Sequence, residues 1–408
     1  MSAVMEKNSS SPESIPLADV PARFNRIFRP AVETVDVVVI GAGVAGAYLV
    51  YLLAEMGLKA VLLEQIRAKN CPGNVAVSQR TLDAFPFLSV LEKERETGLE
   101  VVSRRGKVIE AEGRNGALRV FARAELESFL LKKAAARKAM NARERVVSME
   151  LEKGNWEVRT ENHVFNCRFV VGADGWNSSV RSEVLAPFGK KDLRFGAGCV
   201  AHTSHQNGVQ IRYLPGGELL KMYNMEKGSS VGVFGPSEDT RAVRHALDQT
   251  VRLSLGAIRP VSPWAVYVPC PSDQSFFSLP ASGKNWLLVG EAAGHVNPLT
   301  MESVHYSLWS AKLAAQALAL GEPRLFDSMW HDEYGRELEL AVKMRKRLGQ
   351  WDRKMEWCFE AACRSEHLRK FVMDLFSSGM EQKTFTSRVF RELPFAMLEL
   401  AGATFSKN

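Results

Sequence analysis

The chain is poor in cysteine, with six in 408 residues and no CxxC pair. That excludes a disulfide scaffold and a zinc ribbon, and the cysteines read as reduced thiols of a reducing compartment. Eight histidines show no HxxxH or HExxH spacing, so no metal site is expected. Charge of one sign is barely in excess: 53 Lys and Arg against 46 Asp and Glu leave +7. This is too mild for a nucleic-acid binder, which concentrates basic charge on one face. No long apolar run is uninterrupted. Residues 37–54 carry no charge, yet Gly41, Gly43 and Gly46 break the run and Asp36 and Glu55 bound it. It reads as a strand followed by a helix rather than a membrane span. Residues 1–20 are polar and Ser-rich without an apolar stretch, so no secretory leader is expected. The expected location is cytoplasmic.

What is present is ordinary globular composition, 46% hydrophobic and 24% charged, at a length of about two or three domains. Residues 36–40 (DVVVI) form a continuous β-branched run, the pattern of a buried parallel strand. Residues 44–56 have helical character, and residues 59–64 (KAVLLE) form a second buried strand. Between the first strand and the helix lies Gly41-Ala42-Gly43-Val44-Ala45-Gly46, a GxGxxG sequence. Gly41 permits the tight turn, Gly43 lets the backbone approach a pyrophosphate, and Gly46 lets helix and strand pack closely. The helix N-terminus offers free N–H groups to phosphate. Glu64 closes the second strand, where a carboxylate accepts hydrogen bonds from ribose hydroxyls, with Gln65 beside it. A dinucleotide site at Gly41, Ala42, Gly43, Ala45, Gly46, Glu64 and Gln65 follows.

Further along, residues 71–80 read as a loop leading into a helix, and residues 123–140 as an Ala-, Leu- and Lys-rich helix. Residues 146–152, 156–160 and 164–168 alternate as short strands, the first two joined by Lys153-Gly154-Asn155. Residues 192–280 alternate β-type segments with Gly and Pro turns and predict a second, mainly antiparallel sheet. Residues 286–289 form a third buried strand, residues 301–319 a helix, and the pattern stays helical from 325 to about 375. The expected architecture is α/β. A flexible tail (1–34) precedes a Rossmann-type dinucleotide-binding domain (35–190 with 281–325), the FAD-binding domain of the resemblance given below. An inserted antiparallel β-sheet substrate domain (191–280) and a helical C-terminal extension (326–408) complete it.

Two further segments follow strands. Gly172-Ala173-Asp174-Gly175-Trp176-Asn177-Ser178-Ser179-Val180-Arg181 is one, and Gly290-Glu291-Ala292-Ala293-Gly294-His295-Val296-Asn297-Pro298-Leu299-Thr300 is the other. In order and separation these motifs resemble the flavoprotein family of geranylgeranyl reductases and single-component aromatic hydroxylases. The resemblance covers residues 36 to about 320 and implies FAD rather than NAD. It implies ribityl and ring contacts from Asp174, Gly175, Gly290, Glu291, Pro298, Met301, Glu302 and Ser303. Arg123, at the start of RAELESFLL, and Val147 are implied near the dinucleotide. Cys71-Pro72-Gly73 followed by Ser78-Gln79-Arg80 is similar to a reductase loop lying against the flavin. Cys71 is therefore the first candidate proton donor, and His295 the second.

The chain departs from the family at Glu291, where Asp is usual, and at Met301-Glu302-Ser303, where the family has Gly-Glu-Gly. It also has Tyr223-Asn224-Met225 where archaeal reductases carry a YxWxFP-like strand. The resemblance implies an oxidoreductase acting on an apolar small molecule, by hydride transfer from reduced flavin to a carbon–carbon double bond. The alternatives are a monooxygenase, and a non-catalytic flavin-bound membrane-surface or interaction protein. With no second GxGxxG, an external electron donor, NAD(P)H or ferredoxin-like, is expected. The basic run at residues 341–355 suggests a peripheral membrane contact; no nucleic-acid partner is expected.

Overall fold

The computed structural model describes residues 31–64, 73–91, 98–110, 118–137, 139–201, 208–214, 217–225, 228–254, 261–350 and 353–377. Strand β1 (Ala31–Ile40) shows why its run of valines does not alternate with polar residues: Val37, Val38 and Val39 are all fully buried. Only a strand covered on both faces tolerates that. Helix α1 (Val44–Glu55) carries no charge before Glu55 and is buried on most of its surface. It returns the chain to β2 (Ala60–Leu63), parallel to β1 from Val37↔Ala60 to Ile40↔Leu63.

Strand β3 (Asn74–Ser78) ends on Ser78, whose hydroxyl accepts the Thr81 amide at 3.3 Å and caps helix α2 (Gln79–Ala84). Strands β4 (Gly98–Val102) and β5 (Val108–Glu110) follow as an antiparallel pair. Next, β6 (Leu118–Ala122) pairs with β3 and feeds α3 (Arg123–Ala136), and β7 (Met140–Ala142) lies parallel to β2. Strands β8 (Val146–Glu152) and β9 (Asn155–Thr160) form a hairpin. Its turn places Lys153 at φ 48° and Gly154 at φ 89°, the doubly left-handed geometry that matches strand twist. The long β10 (His163–Gly172) then runs antiparallel to β9 and parallel to β1.

After α4 (Ser179–Val184) come β11 (Leu193–Ala201), β12 (Gly208–Tyr213), β13 (Leu219–Met225) and β14 (Gly228–Pro236). Helix α5 (Thr240–Ser254) and β15 (Val261–Pro269) complete this region. The second sheet has the order β15-β11-β14-β13-β12-β4-β5. It differs from the sequence reading in two ways. Residues 98–110 belong to it rather than to the first sheet, and β4 joins β12 in parallel, with Val101 opposite Ile211. The cause is the apolar side of β4, where Leu99 and Val101 are at most 1% exposed in a core shared with Val209 and Ile211. Helix α5 is also unexpected; it buries Val243 against this sheet.

Strand β16 (Trp286–Leu288) returns to the first sheet beside β10, and the path there is β7-β2-β1-β10-β9-β8. Helix α6 (Val304–Ala319) packs against α1. Beyond it lie α7 (Leu325–Trp330), a π-helical turn at His331–Gly335, α8 (Arg336–Gly349), α9 (Arg353–Arg364) and α10 (Glu366–Ser377). These helices do not form a separate extension. Phe326, Trp330, Tyr334 and Leu338 complete the first core, and Phe359, Met373 and Phe376 complete the second. No described helix is long and apolar enough to cross a membrane.

Candidate active site

The three glycines of the β1–α1 loop are needed for different reasons, and the coordinates separate them. A Cβ on Gly41, at φ 105°, would lie 2.5 Å from the Ala173 carbonyl. On Gly46 it would lie 1.9 Å from the Gly41 oxygen. Those two are closed by protein backbone. Gly43 is open: the nearest atom to a Cβ there is the Glu127 Oε1, 4.0 Å away. Glu64 stands at the end of β2, and its Oε2 accepts the Ala42 amide at 2.5 Å. Helix α3 supplies the far wall, where the Arg123 Nε meets Glu127 Oε1 at 3.0 Å. The sequence reading found Arg123 but missed Glu127, which the four-residue helical spacing from Arg123 points to. Gln65 and Cys71 lie outside the described residues. Val147 sits at the irregularity in β8 with its side chain 66% exposed.

The second and third motifs are bound to each other. Gly172 ends β10, and the Ala173 amide donates to the Ile40 oxygen at 2.7 Å, joining this loop to the first. Asp174 Oδ2 accepts the Ser179 amide at 2.7 Å and its hydroxyl at 2.8 Å, while the buried Oδ1 has no hydrogen-bond partner in the protein. Burial raises its pKa. Glu291 Oε2 lies 3.9 Å from where a Gly175 Cβ would be. Arg181, 5% exposed, lies over the Phe188 ring at 4.1 Å and donates to the Ala292 carbonyl at 3.3 Å. Desolvation lowers its pKa to about 10. This side chain holds the two motifs together.

Gly290, at φ 58°, brings the N-terminal turns of α1 and α6 to one place: a Cβ there would be 3.0 Å from both the Ala45 Cβ and the Ser307 hydroxyl. Asn297 ties the following loop, its Oδ1 accepting the Leu299 amide at 2.9 Å and the Thr300 amide at 3.2 Å. Pro298 accepts a Cys270 thiol contact at 3.7 Å through its carbonyl. Met301 has φ 57°, the left-handed conformation that favours glycine, and so carries backbone strain where the family has Gly. Ser303 occupies the N-cap of α6 without a side-chain cap.

His295 faces the C-terminal helices. It is 1% exposed, 4.5 Å from the Trp330 ring, and its Nδ1 is 3.0 Å from the Tyr334 hydroxyl. Burial, reinforced by Arg181, lowers its pKa to about 3. The ring anchors the loop to the C-terminal helices, and its surroundings favour the neutral form.

A charged cluster underlies the 297–303 loop and was not visible in the sequence. Arg80 of α2 meets Glu337 of α8 at 2.7 Å; their side chains are 31% and 2% exposed. The Tyr306 hydroxyl donates to the other oxygen of Glu337, and Asn297 Nδ2 donates to Tyr306 at 3.2 Å. Lys221 of β13 donates to the Thr300 carbonyl at 3.0 Å. Glu302 sits among these groups with Oε1 buried and no hydrogen-bond partner. Burial first, and Glu337 second, raise its pKa to about 7 against the pull of Lys221 and Arg80.

The residues fit an extended dinucleotide: an open cradle at Gly43, an orphaned buried Asp174 oxygen, and helix N-termini converging at Gly290. Together the fold and this site define a dinucleotide-dependent oxidoreductase. Residues 34–250 match the FAD binding domain family, and the chain belongs to it. It is a FAD-dependent oxidoreductase, and it is similar to geranylgeranyl reductases. Geranylgeranyl diphosphate reductase of Rhodobacter capsulatus is 26% identical over 399 residues, covering 90% of this chain and 96% of that one. Among solved structures, a geranylgeranyl bacteriochlorophyll reductase-like protein from Thermoplasma acidophilum aligns with TM-score 0.67 at 16% identity, covering 91% of this chain and all of that one. The p-nitrophenol 4-monooxygenase of Pseudomonas putida aligns with TM-score 0.65 at 15% identity, covering 86% and 100%. These last two likenesses concern the fold alone.

Proposed function

We propose that the protein reduces a carbon–carbon double bond of an apolar, isoprenoid-like molecule that carries an anionic end. The observation that carries this reading is a cleft between the second sheet, the Pro298–Met301 loop and α8. Its interior volume is about 50 Å³, and it opens to solvent at its mouth. Tyr213, Leu219, Phe234, Leu299, Met301 and Leu348 give it apolar walls, and Arg104, Arg194 and Arg345 also line it. Burial lowers the Arg194 pKa, and the nearby Arg345 acts in the same direction, against the pull of Cys270 and Glu218. Arg345 donates to the Pro271 carbonyl at 3.1 Å, while its buried Nε has no partner in the protein. Apolar walls with clustered guanidinium groups suit an aliphatic chain ending in phosphate or carboxylate. The names of the reductase relatives agree with that class.

Reduced FAD, when bound, supplies the hydride. The chain's own residues do the rest. Gly43 and the α1 N-terminus receive the pyrophosphate, Glu64 the ribose, and Asp174 with Glu291 the ribityl hydroxyls. The Met301 side chain lines the cleft and would form its wall toward the flavin ring, excluding water and limiting approach to one face of the substrate. The basic run at 341–355 is partly absorbed by this architecture, because Arg345 lines the cleft and Lys346 pairs with Asp273 at 2.5 Å.

The test is anaerobic: reduced protein is mixed with geranylgeranyl diphosphate, with the parent alcohol, and separately with O2. Fast reoxidation by the diphosphate with saturated product is expected. Arg194→Gln should weaken the diphosphate about 10- to 100-fold, the loss of a charge-assisted hydrogen bond, and leave the alcohol unchanged. Fast reoxidation by O2 alone, with no alkene turnover, would place the protein with the monooxygenases.

A further inference from the structure

We propose that Glu302 is the proton store of the flavin site: its carboxylate takes up a proton when the flavin is reduced and releases it when the substrate is saturated. The proposal deepens the reductase reading and rests on it for the second half of the cycle.

The placement comes first. Glu302 lies two residues before α6, in the loop whose α6 turn meets α1 at Gly290. Its backbone is fixed, since its carbonyl accepts the Asn297 amide at 2.9 Å and its amide lies 3.4 Å from the Thr300 hydroxyl. Its Oε1 is enclosed without a partner. The groups facing it are committed elsewhere. Arg80 is bonded to Glu337, Tyr306 donates to Glu337, and Lys221 donates to the Thr300 carbonyl. His305, 3% exposed, bonds Thr81 through Nδ1 at 3.0 Å and is kept neutral by burial and by Arg80. Glu302 is partly exposed as a residue, but its Oε1 is enclosed with no dedicated counter-ion, and it faces a second carboxylate and two cations. Its proton affinity is poised where a small change in local charge decides its state.

The chemistry balances. Two-electron reduction of FAD with one proton adds one hydrogen at N5 and leaves a negative charge on the ring. That charge favours a second proton on the Glu302 carboxylate. Saturation of the double bond takes a hydride from N5 to one carbon and a proton to the other. The flavin returns to its oxidised form and Glu302 to carboxylate, so both hydrogens needed by the alkene are held before it binds.

The midpoint potential of the FAD-loaded protein, followed against pH from about 8 to about 9, where Glu302 starts ionised, counts protons taken up per electron pair. The native protein is expected to take up two, and Glu302→Gln one. Reduced-minus-oxidised infrared spectra of the native protein should gain a protonated-carboxyl C=O band, absent in Glu302→Gln and retained in Glu302→Asp. One proton in the native protein with no such band overturns the proposal without recourse to any variant. Two protons in both native and Glu302→Gln proteins place the second proton elsewhere and overturn it equally. Alkene turnover by the same preparations tests the reductase reading separately, so the two failures are distinguishable.

Discussion

Gly43→Val is expected to give a folded protein that does not retain FAD. The three glycines of the first loop make the experiment discriminating. At Gly41 and Gly46 an added Cβ would fall 2.5 Å and 1.9 Å from backbone atoms, so either substitution must shift the β1–α1 loop against its neighbours. At Gly43 the added carbon meets no protein atom closer than 4.0 Å, and the φ of −71° suits any residue. Valine is therefore compatible with the apoprotein fold. Its methyl groups fill the space where the pyrophosphate must approach the α1 amides. FAD affinity should fall by at least about 100-fold, since both close contact and helix-terminus hydrogen bonds are lost. Fluorescence titration with FAD, beside a thermal melt of the apoprotein, reads both quantities. Full FAD occupancy in Gly43→Val would show that the cradle is assigned to the wrong loop. Loss of FAD together with loss of fold would show that Gly43 serves packing.

The same comparison shows how much could be read from residue order. Glycine spacing, the acid closing β2 and the chain order of the three motifs are local patterns: Glu64 accepts the Ala42 amide, Ala173 bonds Ile40, and Gly290 meets α1 and α6. Local pattern does not say which way a side chain turns. His295 sits in the third motif, yet it points into Trp330 and Tyr334, aromatic residues supplied by helices that begin after the motif has ended. Nor does it reveal parallel pairing at long range. Strand β4 reads as part of the stretch between α2 and α3, but its apolar face fits β12, over a hundred residues on. The Arg80–Glu337 pair spans 257 residues and joins two helices with no shared periodicity. Met301 was recognised as a departure; its left-handed backbone explains why glycine would be the easier choice there.

Arg80→Ala should be strongly damaging to stability, and damaging in a pH-dependent way. The guanidinium stands 2.7 Å from Glu337, whose side chain is 2% exposed. Removing one partner of such a pair leaves an uncompensated buried charge and costs roughly 3–5 kcal/mol; the partial exposure of Arg80 favours the lower end. Glu302 adds the pH dependence. Its folded-state pKa is already raised from 4.5 to about 7, with Arg80 among the groups holding it down. The folded protein therefore binds more protons than the unfolded chain between those values, and stability contributed by this group falls as pH rises through them. Without Arg80 the folded-state pKa rises further and the window extends upward. The variant should lose more stability at about pH 8 than at about pH 5.5, relative to the native protein at each pH. Glu302→Gln in the Arg80→Ala background removes the repulsion between the two carboxylates. It should restore about 1 kcal/mol at the higher pH and little at the lower, a coupling that a double-mutant cycle isolates. Chemical denaturation of the four proteins at both pH values supplies the cycle. A loss independent of pH, with no rescue by Glu302→Gln, would mean that Arg80 serves Glu337 alone and that Glu302 is not electrically part of the cluster.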